Sequence, residues 1–290
     1  MSNANSVSSS IPAAREAPQE PAAVLPPARI HARPGSGSST GIATVTVIAL
    51  LLLWWGATSA GWIAPLFLPP PTAVWQAARQ AWEGNVQGGL PLLQHIAWSL
   101  FRVFGAFLLA AITAVPLGLL MGTSRIARGI ADPLLEFYRP LPPLAYLPLI
   151  VIWFGIDEAA KLLLIYLACF APIAVSTRAG VAAVQDEQLH AAQSMGATRW
   201  QLLRHVILPA ALPDILTGLR IAIGFGWTTL VAAEMVAATA GLGQLVLNAS
   251  NFLRTDVVVM GIVLIGLIAY VFDLAMRRLA DVITPWRGKR

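Results

Sequence analysis

Residues 42–61 read IATVTVIALLLLWWGATSAG, twenty consecutive positions without a charged side chain. A helix rises about 1.5 Å per residue, so a helix of this length crosses the roughly 30 Å hydrocarbon core of a bilayer. Further apolar stretches follow at about 97–121, 132–156, 160–178, 218–240 and 256–276. The chain is therefore predicted to be an all-α integral membrane protein with about six transmembrane helices.

The composition of the whole chain agrees with this prediction. Among its 290 residues, 57% are hydrophobic and 11% are charged, whereas an ordinary soluble domain carries about 25% charged residues. So few charges cannot cover a water-exposed surface, which argues against a soluble enzyme. The net charge of +5 would suit a polyanion, but the placement of the cations explains them better, and no nucleic-acid partner is expected.

The positive charges predict the orientation of the spans. Fifteen of the nineteen Arg and Lys residues fall on one side of the six stretches. Arg79, Lys161 and Arg254 fall on the other side, and Arg102 lies inside the second stretch. Because basic loops stay in the cytoplasm, both termini are predicted to be cytoplasmic.

Residues 1–40 differ from the rest of the chain, since Ser, Ala and Pro occupy 22 of these 40 positions. Such a segment buries too little apolar surface to offset the entropy cost of ordering, so a disordered cytoplasmic tail is predicted. A secretory signal peptide is not expected, because the first apolar run begins only at Ile42. The membrane domain is predicted to occupy residues 41–290.

The loop at about 179–217, predicted to be cytoplasmic, is longer than the others. Leu189, Ala192 and Met195 recur in it at helical spacing, which predicts a short helix. Gly196 suits the end of that helix. The prolines at 209 and 213 are expected to turn the chain toward the fifth span. By itself, this pattern also fits a connector helix lying at the lipid interface.

Small residues and a proline at fixed distances in this loop resemble the "EAA" motif of the permease subunits of binding-protein-dependent ABC importers. In that family a short helix, here about 189–200, docks in a groove of a cytoplasmic ATPase and transmits its closure to the spans. The family usually has Glu where this chain has His190, so no salt bridge to the ATPase is implied there. The resemblance implies seven ATPase-coupling residues, His190, Ala191, Ala192, Gly196, Arg199, Leu208 and Pro209.

Further resemblance narrows the family. Residues 137–155, FYRPLPPLAYLPLIVIWFG, are similar to the subgroup that handles sulfonates, taurine, nitrate and pyrimidine precursors. The segments LTGLR at 216–220, WTTLVAAE at 227–234 and TPW at 284–286 look most like the taurine-transporting members. This implies import of taurine or a related alkanesulfonate, with nitrate or a pyrimidine precursor as alternatives.

The resemblance also implies an assembly in a bacterial inner membrane. The fold would be the type I, methionine-importer-like permease architecture. Two copies of the chain would form a homodimer with the passage at its interface. Two ATPase subunits and an extracytoplasmic solute-binding protein would complete the transporter, and membrane lipid would surround it.

No catalytic activity, cofactor or metal is expected in this chain. The phosphate-binding loop of ATPases needs the pattern GxxxxGK[ST], and neither Lys161 nor Lys289 fits it. ATP hydrolysis would therefore belong to a separate subunit. The four histidines are interpreted as solvated tail or loop residues, and Cys169 as a small packing residue.

Prolines crowd the third stretch, at 133, 140, 142, 143 and 148. Backbone carbonyls that lose their hydrogen bonds at membrane depth must be buried in protein or face a wet cavity. Residues 138–148 are therefore predicted to border the solute path, although a kinked helix explains 133–140 equally well. The predicted pathway residues are Tyr138, Arg139, Pro142, Pro143, Trp227 and Glu234.

Charges inside the spans need partners or water. Arg102 is expected to reach the outer interface with its long side chain, and Asp273 to pair with Arg277. Glu234 lies in the outer third of the fifth span, where it could meet the ammonium group of taurine. A structural network around Glu234 is the favoured alternative.

Two rival functions predict different features. An ion-coupled secondary carrier would show paired acidic residues deep in its spans and often an internal repeat, and neither is evident. A membrane assembly protein without transport activity would not need the motif at 188–209.

Overall fold

A computed structural model describes residues 40–86 and 89–286. The predicted disordered tail, residues 1–40, lies outside the described residues except for Thr40, which begins a helix, and the C-terminal residues 287–290 lie outside them as well. Over the part that is described, every regular element is a helix and no strand occurs. The all-α membrane class is confirmed.

Eleven α-helices follow one another along the described residues. They are α1 (Thr40–Ser59), α2 (Pro71–Trp82), α3 (Leu92–Thr123), α4 (Arg125–Tyr138), α5 (Leu147–Phe154), α6 (Glu158–Ala182), α7 (Asp186–Ser194), α8 (Arg199–Leu202), α9 (Leu208–Ala237), α10 (Leu242–Asn251) and α11 (Thr255–Ile283). A 3-10 turn covers Pro143–Ala145, and a π-helical segment, Leu203–Ile207, joins α8 to α9.

Five helices among the described residues are long and apolar enough to cross a membrane. They are Gly41–Ser59, Leu92–Thr123, Glu158–Ala182, Arg199–Ala237 and Thr255–Ile283. These helices contain five of the six stretches that the sequence predicted, apart from a few residues at the ends. The fold class therefore holds with five apolar spans.

The sixth stretch, 132–156, is not one continuous helix. Helix α4 ends at Tyr138 and α5 begins at Leu147, and between them the chain is non-helical except for the 3-10 turn. Proline explains the break, because it has no backbone N–H to donate within a helix. Pro148 instead lies in the first turn of α5, where no such donor is needed.

The chain divides into two units. Residues 40–49, the described part of the first unit, form the beginning of α1, where the Thr46 hydroxyl donates to the Ile42 carbonyl at 2.9 Å. The second unit begins at Leu50 and contains the remaining described helices.

Helices α3, α6 and α9 form the centre of the second unit. Their facing residues are small: Ala106, Ala110 and Ala114 of α3 pack with Cys169 of α6 and Ala222 of α9, and all five are buried. Small residues allow helix backbones to approach closely in membranes. The burial of Cys169 agrees with its predicted packing role.

These three helices define two ends of the unit. At one end, the start of α3, the start of α6 and the end of α9 meet through the side chains of Arg102, Glu158 and Glu234. We call this the network end. At the opposite end, Gly180 of α6 lies against Asp214 and Ala211 of α9, beside α7 and α8. We call this the loop end.

Candidate functional site: a central cavity and a coupling segment

A cavity of about 470 Å³ opens beside the break between α4 and α5. Residues 138–143 and Tyr146 form one wall, residues of α6 between Leu167 and Ser176 form a second, and Ile221, Phe225 and Thr228 of α9 complete the lining. We call this the central cavity. It contains four of the six predicted pathway residues, Tyr138, Arg139, Pro142 and Pro143.

The central cavity lies midway along the spanning helices. The Tyr138 hydroxyl donates to the Leu167 carbonyl and lies 3.4 Å from the Tyr146 hydroxyl. Leu167 is nine residues from the start of α6, or about 14 Å along the helix axis. The non-helical segment 139–146 therefore meets α6 near its middle, which agrees with the prediction that irregular backbone at this depth faces a cavity.

The lining of the central cavity carries one formal charge. Its other residues are apolar, aromatic or hydroxyl-bearing, and only Arg139 is ionised. Arg139 is exposed, and among the described residues it makes no ion pair. The cavity therefore presents positive charge without a carboxylate.

A buried ionic network lies at the network end. Arg102 Nη1 donates to Glu234 Oε1 at 2.7 Å, and its Nε donates to Glu158 Oε2 at 2.7 Å. Arg102 is 1% exposed and Glu234 is not exposed. The expectation that Arg102 extends to the outer interface is wrong, because two carboxylates hold its guanidinium inside the protein. Lys161 adds a second cation to Glu158 at 2.6 Å.

The network also fixes the turn between α9 and α10. The Gly243 N–H donates to Glu234 Oε2 at 2.9 Å, and the Leu242 N–H donates to the Ser99 hydroxyl at 2.9 Å. Ser99 in turn donates to Glu234 at 2.8 Å. Gly241 has a φ of +141° in this turn, a conformation that favours glycine. The geometry is that of the structural network favoured for Glu234 in the sequence analysis.

His95 belongs to the same turn. Its Nδ1 lies 2.9 Å from the Gly241 carbonyl oxygen, and the side chain is 3% exposed. The interpretation of His95 as a solvated loop residue is therefore wrong, since α3 begins at Leu92 and carries His95 inside.

Trp227 and Glu234, the other two predicted pathway residues, do not line the central cavity. Trp227 is 6% exposed and packs in the core of α3, α6 and α9. Its Nε1 is buried without a hydrogen-bond partner among the described groups. A part for either residue in the solute path remains a prediction.

Residues 186–209, from the start of α7 to the first turn of α9, contain the predicted coupling motif, and we call them the coupling segment. This segment has two helices where the sequence predicted one at 189–200. Helix α7 ends at Ser194, and Gly196 follows with φ +79°, as expected of a glycine just past a helix end. Helix α8 then begins behind Thr198, which forms a reciprocal capping box with Gln201. The capping box thus starts a new helix at Arg199, after four residues that belong to neither helix.

The prolines at 209 and 213 do not turn the chain as expected. Pro209 lies in the first turn of α9 and Pro213 lies inside that helix. The π-helical segment 203–207 instead continues α8 into α9 as one spanning helix, Arg199–Ala237. A π-helical segment shifts the hydrogen-bond register and so accommodates a residue that donates no backbone N–H.

The parts of the predicted coupling motif come together in space. A groove of about 340 Å³ lies between α7 and the start of α9, and its lining includes Ala191, Ala192, Val206 and Pro209. His190, Gly196 and Arg199 are exposed on the same segment, and Leu208 is half-buried beside Pro209.

Two large apolar side chains of this surface were not among the predicted coupling residues. Met195, named in the sequence analysis only for its helical spacing, is 82% exposed, and Trp200 is 65% exposed. Their apolar character was readable in the sequence.

Ion pairs also join helices nearer the loop end. Asp132 pairs with Arg178 at 2.5 Å. Asp273 pairs with Arg277, as predicted, and also accepts from Arg220 of α9 at 2.5 Å. These side chains are partly exposed, in contrast to the buried network.

Comparison with known proteins identifies the class that this fold and site define. Residues 114–285 match the family described as "Binding-protein-dependent transport system inner membrane component". The chain is 52% identical over 246 residues to the taurine transport system permease protein of Escherichia coli K12, covering 84% of this chain and 89% of that protein. A putative aliphatic sulfonates transport permease protein of the same organism is 36% identical over 82% of this chain and 89% of its own length.

A more distant relative agrees with this class, and two solved structures share the fold. A nitrate import permease protein of Leptolyngbya laminosa is 31% identical over 72% of this chain and 78% of its own length. The MetNI methionine ABC transporter, in an inward-facing conformation, contains a chain that superposes with a TM-score of 0.58 at 21% identity, covering 67% of this chain and 96% of that one. An amino acid ABC transporter gives a TM-score of 0.52 at 24% identity over 67% and 92% of the two chains.

The protein is a multi-pass inner-membrane permease subunit of an ABC importer. It belongs to the binding-protein-dependent transport system inner membrane component family.

Proposed function

We propose that this permease subunit imports taurine or a related alkanesulfonate by alternating access. The observation that carries this proposal is the 52% identity, over 84% of the chain, to a taurine transport system permease protein. The 36% identity to a putative aliphatic sulfonates permease supports the wider substrate class. The 31% identity to a nitrate permease supports nitrate as the second candidate, and a pyrimidine precursor or an ion-coupled carrier has no such support.

The central cavity is the proposed solute path. Its position midway along α6 and α9 supports this, as does the presence of Tyr138, Arg139, Pro142 and Pro143 in its lining. Trp227 packs in the core of α3, α6 and α9, and Glu234 belongs to the buried network, so we propose that they hold the helices that form the path.

The coupling segment is the proposed contact with a separate ATPase subunit. ATP-driven closure of the ATPase would move α7 and α8, and the continuous helix Arg199–Ala237 would carry that movement to the cavity wall. The proposed contact residues remain His190, Ala191, Ala192, Gly196, Arg199, Leu208 and Pro209. Exposed Met195 and Trp200 add apolar area to this contact.

The proposed assembly contains two copies of this chain, two ATPase subunits and an extracytoplasmic solute-binding protein, with both termini of the chain in the cytoplasm. Helices α3 and α6 run in the same direction, because Arg102 of α3 pairs with Glu158 at the start of α6 and Gly118 of α3 lies against Thr177 near the end of α6. The broken stretch 132–156 must therefore return across the membrane between them, and with the five continuous spanning helices it makes the six crossings that this orientation needs.

Lys161 pairs with Glu158 at the network end. Arg254 directly precedes α11, and Asp273, eighteen residues into that helix, pairs with Arg220 nearer the loop end, so Arg254 lies toward the network end as well. This placement of the two cations supports the proposed orientation.

Uptake of radiolabelled taurine tests the proposal. Cells that lack this subunit would be compared with cells that express it together with its ATPase and binding protein. We expect saturable uptake only in the second strain, with competition by other alkanesulfonates and little competition by nitrate. The proposal is wrong if taurine uptake is the same in both strains, or if nitrate displaces taurine completely.

A further inference from the structure

The charge of the central cavity indicates which part of the solute it contacts, provided that the proposed import of a sulfonate holds. The sequence places Arg139 with the cations of the predicted cytoplasmic side, whereas in the structure it lines a cavity that is bordered by the middle of α6 and of α9. It directly follows Tyr138, whose hydroxyl donates to the Leu167 carbonyl. An Arg at that depth is costly unless it pairs with an anion or faces water. Arg139 has no carboxylate partner among the described residues and borders a cavity.

The other cations of the described helices are accounted for differently. Several are paired with carboxylates, namely Arg102, Lys161, Arg178, Arg220, Arg254 and Arg277. The others lie close to helix ends or on the coupling segment: Arg79 in the last turn of α2, Arg125 and Arg128 in the first turn of α4, Arg199 and Arg204 on the coupling segment, and Arg278 close to the end of α11. Arg139 is therefore the described cation that combines a place in the lining of the central cavity with the lack of an acidic partner.

No carboxylate in the lining competes with a solute anion for Arg139. No Asp or Glu borders the central cavity. Glu234, which could have met the ammonium group of taurine, accepts from Arg102, Ser99 and the Gly243 N–H and is not exposed. A planar guanidinium can donate two parallel hydrogen bonds to one oxyanion.

We propose that the Arg139 guanidinium binds the anionic group of the solute as it passes the central cavity, so that this chain itself favours solutes that carry an oxyanion group over solutes that lack one. Sulfonate and nitrate share this chemistry. The selectivity of the transporter then has a component in the permease, in addition to that of the binding protein.

The experiment uses the complete transporter in proteoliposomes, with labelled taurine supplied on a saturating binding protein. Arg139→Gln is expected to lower the initial uptake rate per assembled complex by about ten-fold or more. Arg139→Lys keeps the charge without the paired donors and is expected to fall between the wild type and Arg139→Gln. Arg278→Gln is the matched control and is expected to match the wild type, because Arg278 is an exposed residue of α11 that does not line the central cavity.

Assembly, measured by size-exclusion chromatography of the complex, separates a charge effect from misfolding. A normally assembled Arg139→Gln complex that takes up taurine within about two-fold of the wild-type rate overturns the proposal. If Arg139→Gln does not assemble, Arg139→Lys decides: reduced uptake by an assembled complex supports the proposal, and wild-type uptake contradicts it.

Labelled nitrate separates this inference from the proposed function. If the wild type transports nitrate and no taurine, the proposed substrate is wrong, and the same variants are measured with nitrate. A loss of nitrate uptake in Arg139→Gln then still supports an anion contact at Arg139. Uptake of both anions at wild-type rates by Arg139→Gln contradicts the anion contact while leaving the import function in place.

Discussion

Arg102 and Glu234 lie 2.7 Å apart at the network end, although 132 residues separate them along the chain. Neither side chain is more than 1% exposed. Taking two charges out of water is costly, and their mutual attraction offsets that cost only when the remaining donors and acceptors are also bonded. Ser99, Glu158 and the Gly243 N–H supply those bonds, so the pair joins α3, α6, α9 and α10 in one arrangement.

Removal of the Glu234 charge is expected to destabilise the protein. Glu234→Gln leaves Arg102 buried with Glu158 as its one remaining carboxylate partner, and such a change costs about 3–5 kcal/mol in buried pairs. We expect a lower midpoint of thermal unfolding in detergent, measured by fluorescence-detected size-exclusion chromatography. An unchanged midpoint would mean that the pair does not hold these helices together.

Asp273→Asn is the matched control for that variant. Asp273 also accepts from two arginines, Arg220 and Arg277, but it is 30% exposed. Ion pairs with such exposure contribute about 0–1 kcal/mol. We therefore expect a midpoint close to that of the wild type, and a shift as large as that of Glu234→Gln would contradict the role given to burial.

Close packing behind Glu234 leaves no room for a methyl group at Gly243. A Cβ there would lie 2.6 Å from the Val231 carbonyl oxygen and 3.0 Å from Glu234 Cβ. Gly243→Ala is expected to destabilise the protein by about 1–3 kcal/mol through overpacking. Thermal unfolding measures this effect.

Gly266→Ala in α11 is the comparison, because a Cβ there meets nothing within 4 Å. Alanine in an open helical position is neutral or stabilising by up to about 1 kcal/mol. If both alanine variants unfold at the same temperature, this contradicts the close packing of Gly243 in α10 against Val231 and Glu234 of α9.

Gly196 is expected to set the angle between α7 and α8. Its φ of +79° is costly for residues with a side chain, although no atom would obstruct a Cβ. Gly196→Ala is expected to cost about 1–2 kcal/mol locally. We expect less ATPase to co-purify with this variant and taurine uptake to fall, with thermal stability of the isolated permease little changed.

Gly129→Ala serves as the control for Gly196→Ala. Gly129 lies in α4 without a positive φ and with open space around its Cα. The Gly129→Ala variant is expected to co-purify with the ATPase as the wild type does. Normal ATPase binding and uptake in Gly196→Ala would remove the turn from the coupling surface.

Trp227 offers a direct test of the predicted path. Its Nε1 has no partner among the described groups, so Trp227→Phe removes no hydrogen bond, and its burial favours a packing role. We expect taurine uptake by the assembled variant within about two-fold of the wild type, since a large aromatic ring is kept. A severe loss of uptake with normal assembly would instead place Trp227 at the solute.

The local features of the fold were predictable from the sequence because they depend on neighbouring residues. Uninterrupted apolar runs predicted five spanning helices, and Gly196 predicted a helix end. The prolines at 140, 142 and 143 predicted irregular backbone beside a cavity, and their spacing also forbids the continuous helix that hydrophobicity alone suggested for 132–156.

The buried network could not be predicted in the same way. The sequence indicates that Arg102 and Glu234 need partners, but their side-chain partners are 56 to 135 residues away. Without knowledge of its neighbours in space, the expectation that the Arg102 side chain reaches the outer interface was enough to account for its charge. Likewise, His95 looked like a loop residue only because the start of α3 was predicted five residues too late.

The order of the network's members along the chain has a consequence for biosynthesis. The ribosome synthesises Arg102 first. Glu158 follows 56 residues after Arg102, and Glu234 follows 132 residues after Arg102. An unpaired guanidinium in lipid costs about 2.5–3.5 kcal/mol on translocon insertion scales. Nascent α3 is therefore expected to stay sheltered by the insertion machinery until Glu158 arrives, so that these helices enter the bilayer as a group and not singly.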